Sequence, residues 1–486
     1  MARTYRYISG DSHLEIDAKW WVGRVPKQYR DQAPRLVRLP DGSDAWAIEG
    51  QPLRQVPFDL YGGKGRDVWK PYGQNYATTP DTGPAEQRLK EQDIDGIDAE
   101  VLFPGQASGP YFWRNIRDDE AYKACVRAYN DFLAEDYCPA DPDRLLGLGV
   151  IPMTNLQDAL AELEHIRKLG LKGAMLGIFP SGKGHPTPGD DTFWKAALDM
   201  QMPLCVHQEF NREGARGGAL LRYPRQLDNQ AGRLGPLTDL AAQVARFGRL
   251  GFLNAVQMAL DGVFERFPTL QLFFAETQIG WLPWAYEMAD IRYERHRHWA
   301  REILGWQPLP QKPTDYLKAH ILWGFQQDSV GVRLRDLLGV DKLIWATDFP
   351  HQESEYPHSH RVIETNFAGV PANETARMVA GNVIQFFHLE ASWRRAWRRD
   401  NGEPHGPDSP DRAPLLHSML HSPHRVLSSS GLSTGVRILQ EVCDGHPTRP
   451  SDCPIPQSRC LCAVPGRHSR RAVGSRAWPL YAGVCQ

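Results

Sequence analysis

Residues Lys342-Leu-Ile-Trp345-Ala-Thr-Asp348-Phe-Pro-His351 form a short apolar run that ends in a carboxylate and then an imidazole. Two distant stretches behave alike. Tyr5-Arg-Tyr-Ile-Ser-Gly leads into Asp11-Ser-His13-Leu-Glu15, and Pro203-Leu-Cys-Val leads into His207. A parallel barrel produces such endings, because it assembles its site from the C-terminal ends of several strands.

Outward from these three, five further runs read as strands. In order, the eight are Tyr5–His13, Ala99–Pro104, Leu145–Met153, Lys172–Ile178, Pro203–Phe210, Gln271–Glu276, Ile321–Phe325 and Lys342–Phe349. Most are continuous apolar runs, the pattern of parallel strands covered on their outer face. Helical spacing lies between most of them. Leu156, Leu160, Leu163 and Ile166 share a face that stops at Gly170, and Val256, Leu260, Val263 and Phe267 precede Pro268. Further helices are expected at Trp281–Trp299, Val330–Leu338 and Glu374–His388. The fold class is therefore α/β, a (β/α)8 TIM-like barrel over residues 1–390. An open doubly wound sheet is the alternative, but no GxGxxG follows the first strand.

Two regions break the rhythm. Residues 20–84 are rich in Pro, Gly and Trp, include Gly62-Gly63-Lys64-Gly65, and read as a long insertion after strand one, over the barrel mouth. Residues 391–486 lose periodicity apart from brief patches at Leu415–Leu420 and Val436–Val442. They read as a disordered tail or as non-native sequence. Five of the 8 cysteines crowd into that stretch without CxxC spacing, so no zinc module is expected there. Cys125, Cys138 and Cys205 lie in apolar or helical surroundings and read as reduced thiols.

The formal net charge is -2, which excludes a global attraction to nucleic acid or anionic membrane. The N-terminus lacks a long apolar segment, and no apolar run spans a bilayer. A cytoplasmic enzyme with a small-molecule substrate is expected, with neither nucleic acid nor membrane as partner, assembled as a homo-oligomer (dimer or tetramer).

Residues two apart on a strand point the same way, so Asp11, His13 and Glu15 share one face if the first strand extends that far. Imidazole with carboxylates suits Zn²⁺ or Mn²⁺, and the hard oxygen content leans to Mn²⁺. His351, His358 and His360 follow Asp348; one lines the pocket and the other two read as loop residues, since Pro350 and Pro357 mark turns. Arg292, Arg295, His296, Arg297, His298 and Arg301 form the solvated face of a helix or an anion-attracting rim. Lys183 and His185 sit on the loop after strand four.

Taken together, Asp11-Ser-His13, Gly173-Ala-Met-Leu, Pro203-Leu-Cys-Val-His207, Phe274-Ala-Glu276 with Gly280-Trp281-Leu-Pro, Ala346-Thr-Asp348-Phe-Pro-His351 and Gly381-Asn382 resemble one family. It is the amidohydrolase-related branch of the metal-dependent amidohydrolase superfamily, which includes aminocarboxymuconate semialdehyde decarboxylase and the resorcylate-type decarboxylases. The resemblance covers roughly residues 5–390. It implies a distorted barrel holding one divalent metal, with His13, His207 and Asp348 as ligands and either Asp11 or Glu15 completing the strand-one set. By the same resemblance Asp348 doubles as a proton carrier, while His351, from its place after the strand-eight acid, is the candidate substrate contact. One position departs from the pattern. Better-characterised decarboxylases place a histidine acid/base on strand six, where this chain has Glu276. A nearby cation favours the ionised carboxylate and burial the neutral acid, so Glu276 is a candidate general acid or base, with a structural ion-pair partner as the alternative. Three functions follow in order. The first is a metal-dependent non-oxidative decarboxylase (carboxy-lyase) of a small aromatic or enol-type acid. The second is a hydrolase of an amide, ester or lactone, and the third a metal-free binding protein on the same fold.

Overall fold

The structure is a computed structural model. It describes residues 3–48, 53–55, 73–79, 82–105, 116–183, 185–208, 210, 249–304 and 307–392. All of these fall within the compact unit Met1–Asp408. Residues 393–486, including the Leu415–Leu420 and Val436–Val442 patches and the late cysteines, lie outside the described residues, as does Gly62-Gly63-Lys64-Gly65.

Eight parallel strands form one sheet in strict chain order: β1 (Ile8–Leu14), β2 (Ala99–Pro104), β3 (Leu145–Val150), β4 (Gly173–Leu176), β5 (Leu204–His207), β6 (Leu272–Ala275), β7 (Ile321–Phe325) and β8 (Leu343–Trp345). Sequential order excludes the doubly wound alternative, whose strand order reverses. The sheet is a nearly closed barrel. Where β8 returns to β1, His13 N donates to Phe349 O at 2.8 Å and Asp348 N donates to Asp11 O at 3.0 Å. Gly10 permits this approach, since a Cβ there would run into the Ile344 side chain.

Alternation along the strands builds two cores. Inward residues Ile8, Val101, Phe103, Leu146, Leu148, Met175, Cys205, Phe273, Leu322 and Ile344 pack together inside the barrel. Val383, Ile384, Phe386 and Phe387, from the end of the last helical segment, join them and plug the N-terminal end. Asn382 Nδ2 fastens that plug to β8 by donating to Leu343 O at 2.6 Å. Outward residues such as Leu102, Val206, Phe274, Trp323 and Trp345 meet the surrounding helices.

Several expected elements differ in detail. The helix expected to run through Phe267 breaks after Leu260, because Gly262 adopts φ 73°, and resumes at Val263–Arg266. The helix at Leu156–Leu169 matches, capped by Asn155 and ended by Gly170 at φ 76°. The described residues of the insertion after β1 include a small antiparallel sheet, Arg35–Arg38, Asp44–Ala47 and Arg54–Gln55. Its Trp46 is fully buried and donates from Nε1 to Tyr76 OH at 3.2 Å. Among the described residues no helix is long and apolar enough to cross a membrane.

Candidate metal centre

The site residues stand where strand geometry ends. On β5 the inward series runs Cys205 then His207, and on the β8 side it runs Ile344, Ala346, Asp348. On β1 the series needs a correction. Ile8 faces the interior and Leu14 the outer core, so unbroken alternation from Ile8 would turn Asp11 and His13 outward. A bulge between Ser9 and Ser12 adds one residue against β2 and resets the parity. Asp11 and His13 consequently point into the barrel, while Ser9 and Ser12 come together outside it with their hydroxyl oxygens 2.9 Å apart.

His13 Nε2 lies 3.6 Å from Asp11 Oδ1, 3.3 Å from Asp348 Oδ1 and 3.1 Å from His207 Nε2. His207 Nε2 is 3.8 Å from Asp11 Oδ2. All four residues are buried, none more than 7% exposed, so these donors converge out of bulk water. His13 Nδ1 lies 3.1 Å from Pro104 O, which leaves Nε2 to carry the lone pair toward the cluster when Nδ1 holds the proton.

The spacing tests whether a cation fits. Ligands bonded at about 2.1 Å stand roughly 3.0–3.4 Å apart in octahedral or tetrahedral arrangements. The observed 3.1 to 3.8 Å separations are close to that range. Asp348 supplies a second indication. Both its carboxylate oxygens are buried without a well-directed hydrogen bond, an arrangement a cation would satisfy. Burial alone would raise the Asp348 pKa. The charge of His351, then the close ring nitrogens of His13 and His351, then the charge of His13, outweigh it and hold the carboxyl well below the usual range. The donor set therefore fits a divalent ion of the Zn²⁺ or Mn²⁺ type.

Around the four donors stand three more of the expected residues. Glu276 Oε2 lies 3.2 Å from His207 Nε2 and accepts from Gln208 Nε2 at 2.6 Å. His351 stacks on His13 with ring centroids 4.1 Å apart, its Nδ1 3.2 Å from Asp348 Oδ1. Glu15 is set apart from the Asp11–His13–His207 group. Its Oε1 lies 3.7 Å from His351 Nε2, and its Oε2 accepts from Tyr76 OH of the insertion at 3.3 Å. The other late histidines divide as one exposed, His358, and one half-buried, His360, whose ring meets Tyr7 edge-on at 4.8 Å. His360 is thus not a free loop residue. His185, Arg292, His296 and Arg297 line a different cavity of about 690 Å³, with Phe252, Val256 and Leu260.

Backbone strain marks the same ring. Gln208, Glu276 and Asp348 have φ of 57°, 55° and 58°, in the left-handed region that L side chains rarely adopt. Alternation past Ala275 would send Glu276 outward; the left-handed backbone turns it back toward His207. The sequence carried no sign of this. It did carry a sign of the polar cluster behind the site: Glu100 is a charge inside the apolar run Ala99–Pro104, and the structure pairs it with the fully buried Arg88 on the helix before it.

The decarboxylase orsB of Emericella nidulans is 24% identical over 239 residues, covering 48% of this chain and 66% of that protein. The 2-amino-3-carboxymuconate-6-semialdehyde decarboxylase of Dictyostelium discoideum is 24% identical over 309 residues, covering 62% of this chain and 76% of that protein. The 5-carboxyvanillate decarboxylase of Novosphingobium aromaticivorans, solved with manganese and 4-hydroxy-3-methoxy-5-nitrobenzoic acid, shares the fold. Its TM-score is 0.56 at 17% identity, over 80% of this chain and 99% of that one. The model of the amidohydrolase family matches residues 21–389, and the chain belongs to that family.

Proposed function

We propose that the protein is a metal-dependent, non-oxidative decarboxylase of a small aromatic or enol-type carboxylic acid. The observation that carries this is the convergence of Asp11, His13, His207 and Asp348, with Glu276 against its edge. The decarboxylases among its relatives support the reaction class. Asp11, rather than Glu15, completes the ligand set, because only Asp11 groups with His13 and His207. Two carboxylates among four donors favour Mn²⁺ over Zn²⁺. The manganese of the 5-carboxyvanillate decarboxylase structure points the same way. Bound there, the cation supplies positive charge for the oxygen atoms of the acid and for the negative charge left as CO₂ departs.

The chain's own residues do the rest. His351, stacked on His13, stands beside the donors as a contact for the substrate. Gln208 and His207 fix the orientation of the Glu276 carboxyl through Oε2. When the bond between the ring carbon and the carboxylate breaks, its electron pair stays on carbon. A proton from Glu276 is delivered to that carbon, and solvent restores the proton afterwards. Burial of the whole ring keeps bulk water from competing for the carbanion-like centre.

A hydrolase would use the same ligands, with Asp348 taking a proton from water. The discriminating experiment is CO₂ release from a panel of aromatic hydroxy acids by Mn²⁺-loaded protein, run beside hydrolysis of amides, esters and lactones. CO₂ release with no hydrolysis is expected. Hydrolysis without CO₂ would replace the decarboxylase reading with the second. A correctly folded protein that takes up no metal would favour a binding role.

A further inference from the structure

The two halves of the metal cluster come from opposite sides of the seam between β8 and β1. Asp11 and His13 belong to one side and Asp348 to the other. Among the described residues no strand ladder joins them; the seam is held by the two main-chain hydrogen bonds of His13 and Asp348 and by contacts of Ser9 and Ser12 with Thr347. Neighbouring strands elsewhere in the barrel pair in register over several residues. The place where the ligands must meet is thus the least regularly paired part of the sheet.

Arg88 sits behind this place, on the outer side, in the helix Ala85–Asp95 that leads into β2. Its side chain is wholly buried. Nε donates to Glu100 Oε2 at 2.6 Å, Nη1 to His13 O at 3.1 Å, and Nη2 reaches Phe349 O at 3.5 Å. The guanidinium also lies over the Phe349 ring, 4.7 Å from its centroid. Glu100 is fixed in turn by Gln92 Nε2 at 2.7 Å and by Ser12 Oγ at 3.0 Å. Ser12 and Ser9 carry the chain of contacts across to Thr347, immediately before Asp348. One cation therefore joins β1, β2 and the segment after β8.

A buried ion pair is weak as a stabilising device, because desolvation offsets its attraction. Its geometric value is different. The planar fork of arginine directs several donors at once along fixed directions, which the single ammonium of lysine cannot do. We propose that Arg88 is a positioning residue for the metal centre: held by Glu100, it pins the carbonyls of His13 and Phe349 and so sets the distance between His13 Nε2 and Asp348 Oδ1. The proposal rests on the metal-centre reading above.

The test is the Mn²⁺ affinity of the full chain, titrated into metal-free protein, with the melting temperature of the metal-free protein recorded alongside. Arg88→Lys keeps a charge beside Glu100. Arg88→Met combined with Glu100→Gln removes both charges, so that none is left buried and unpaired. Both variants should bind Mn²⁺ about 10–100-fold more weakly than wild type, the usual loss when a partner behind a ligand is removed. Melting of at least one should stay near wild type. A purely structural Arg88 would instead give affinity that recovers wherever melting recovers. Wild-type affinity in either folded variant overturns the proposal, as does failure of both to fold. If the wild type binds no Mn²⁺, the metal reading itself falls and this proposal with it; if only the variants match wild type, the positioning role falls alone.

Discussion

The two ends of the barrel are built from the same eight strands and follow opposite rules. At the N-terminal end, Ile8, Val101, Leu148, Phe273 and Ile344 pack on Phe386 and Phe387, and the interior is apolar. At the C-terminal end, Asp11, His13, His207, Glu276, Asp348 and His351 are buried just as completely, yet every one is polar. Non-glycine residues in the left-handed region include three on this rim, Gln208, Glu276 and Asp348. Burying that many titratable groups costs stability unless a partner of opposite charge is supplied. One end packs the fold together, and the other carries the polar residues on which the proposed function depends.

The sharpest way to break this contrast is Glu276→Gln. It preserves size and much of the hydrogen bonding, so the metal and the fold should remain while turnover falls by about 10²–10⁴-fold. Steady-state CO₂ release with parallel metal analysis reads both. Near-normal turnover would remove Glu276 from proton delivery, and loss of metal would make it a ligand.

The opposite end should give the opposite result. Phe386→Ala empties part of the plug that packs on Phe273, where the ring centroids are 6.2 Å apart. It should cost about 3–5 kcal/mol of unfolding free energy and leave Mn²⁺ affinity unchanged. Chemical denaturation and metal titration of the same sample check the two halves. A metal defect would show that the ends are not independent.

How much of this was legible beforehand follows from which forces are local. All eight strands could be read, because continuous apolar runs report burial on both faces. The C-terminal limits at Pro104 and Phe325 match, but those of β5, β6 and β8 were set too late, at Phe210, Glu276 and Phe349 instead of His207, Ala275 and Trp345. The left-handed residues that end pairing there are ordinary Gln, Glu and Asp side chains, with no glycine to announce them. The bulge in β1 was equally silent. Plain alternation grouped Asp11, His13 and Glu15, whereas only the first two belong to the Asp11–His13–His207 cluster. The small sheet of the insertion pairs Arg35 with Ala47 across a Pro- and Gly-containing stretch, and its strands are only two to four residues long. The Arg88–Glu100 pair joins a helix to a strand through tertiary packing. Only the misfit of a charge in an apolar strand hinted at it.

Smaller effects refine the contrast. Tyr76→Phe removes the insertion's hydrogen bond to Glu15 and takes the acceptor from the buried Trp46 Nε1, and should lower stability by about 1–3 kcal/mol while leaving metal affinity near wild type. A clear metal defect, read by titration, would bring Glu15 into the ligand set. At the N-terminal end, His320 offers a pH test. Burial lowers its pKa most; the Leu270 carbonyl opposes this, and Lys342 adds to the lowering. The unfolded chain then binds the proton more readily than the folded one. Stability should be full above about pH 6.5 and decline as pH falls below that toward the depressed folded value. Melting curves of wild type and His320→Gln between pH 7 and 5 should show the variant losing less. Equal losses would assign the acid sensitivity elsewhere.

The most direct test of the account is divalent metal stoichiometry in wild type, His207→Ala and Phe386→Ala, each produced with both Mn²⁺ and Zn²⁺ supplied. About one ion per chain is predicted for wild type and for Phe386→Ala, and essentially none for His207→Ala. Folded wild type without an ion, or His207→Ala carrying as much metal as wild type, would contradict a metal centre at the C-terminal end of the barrel.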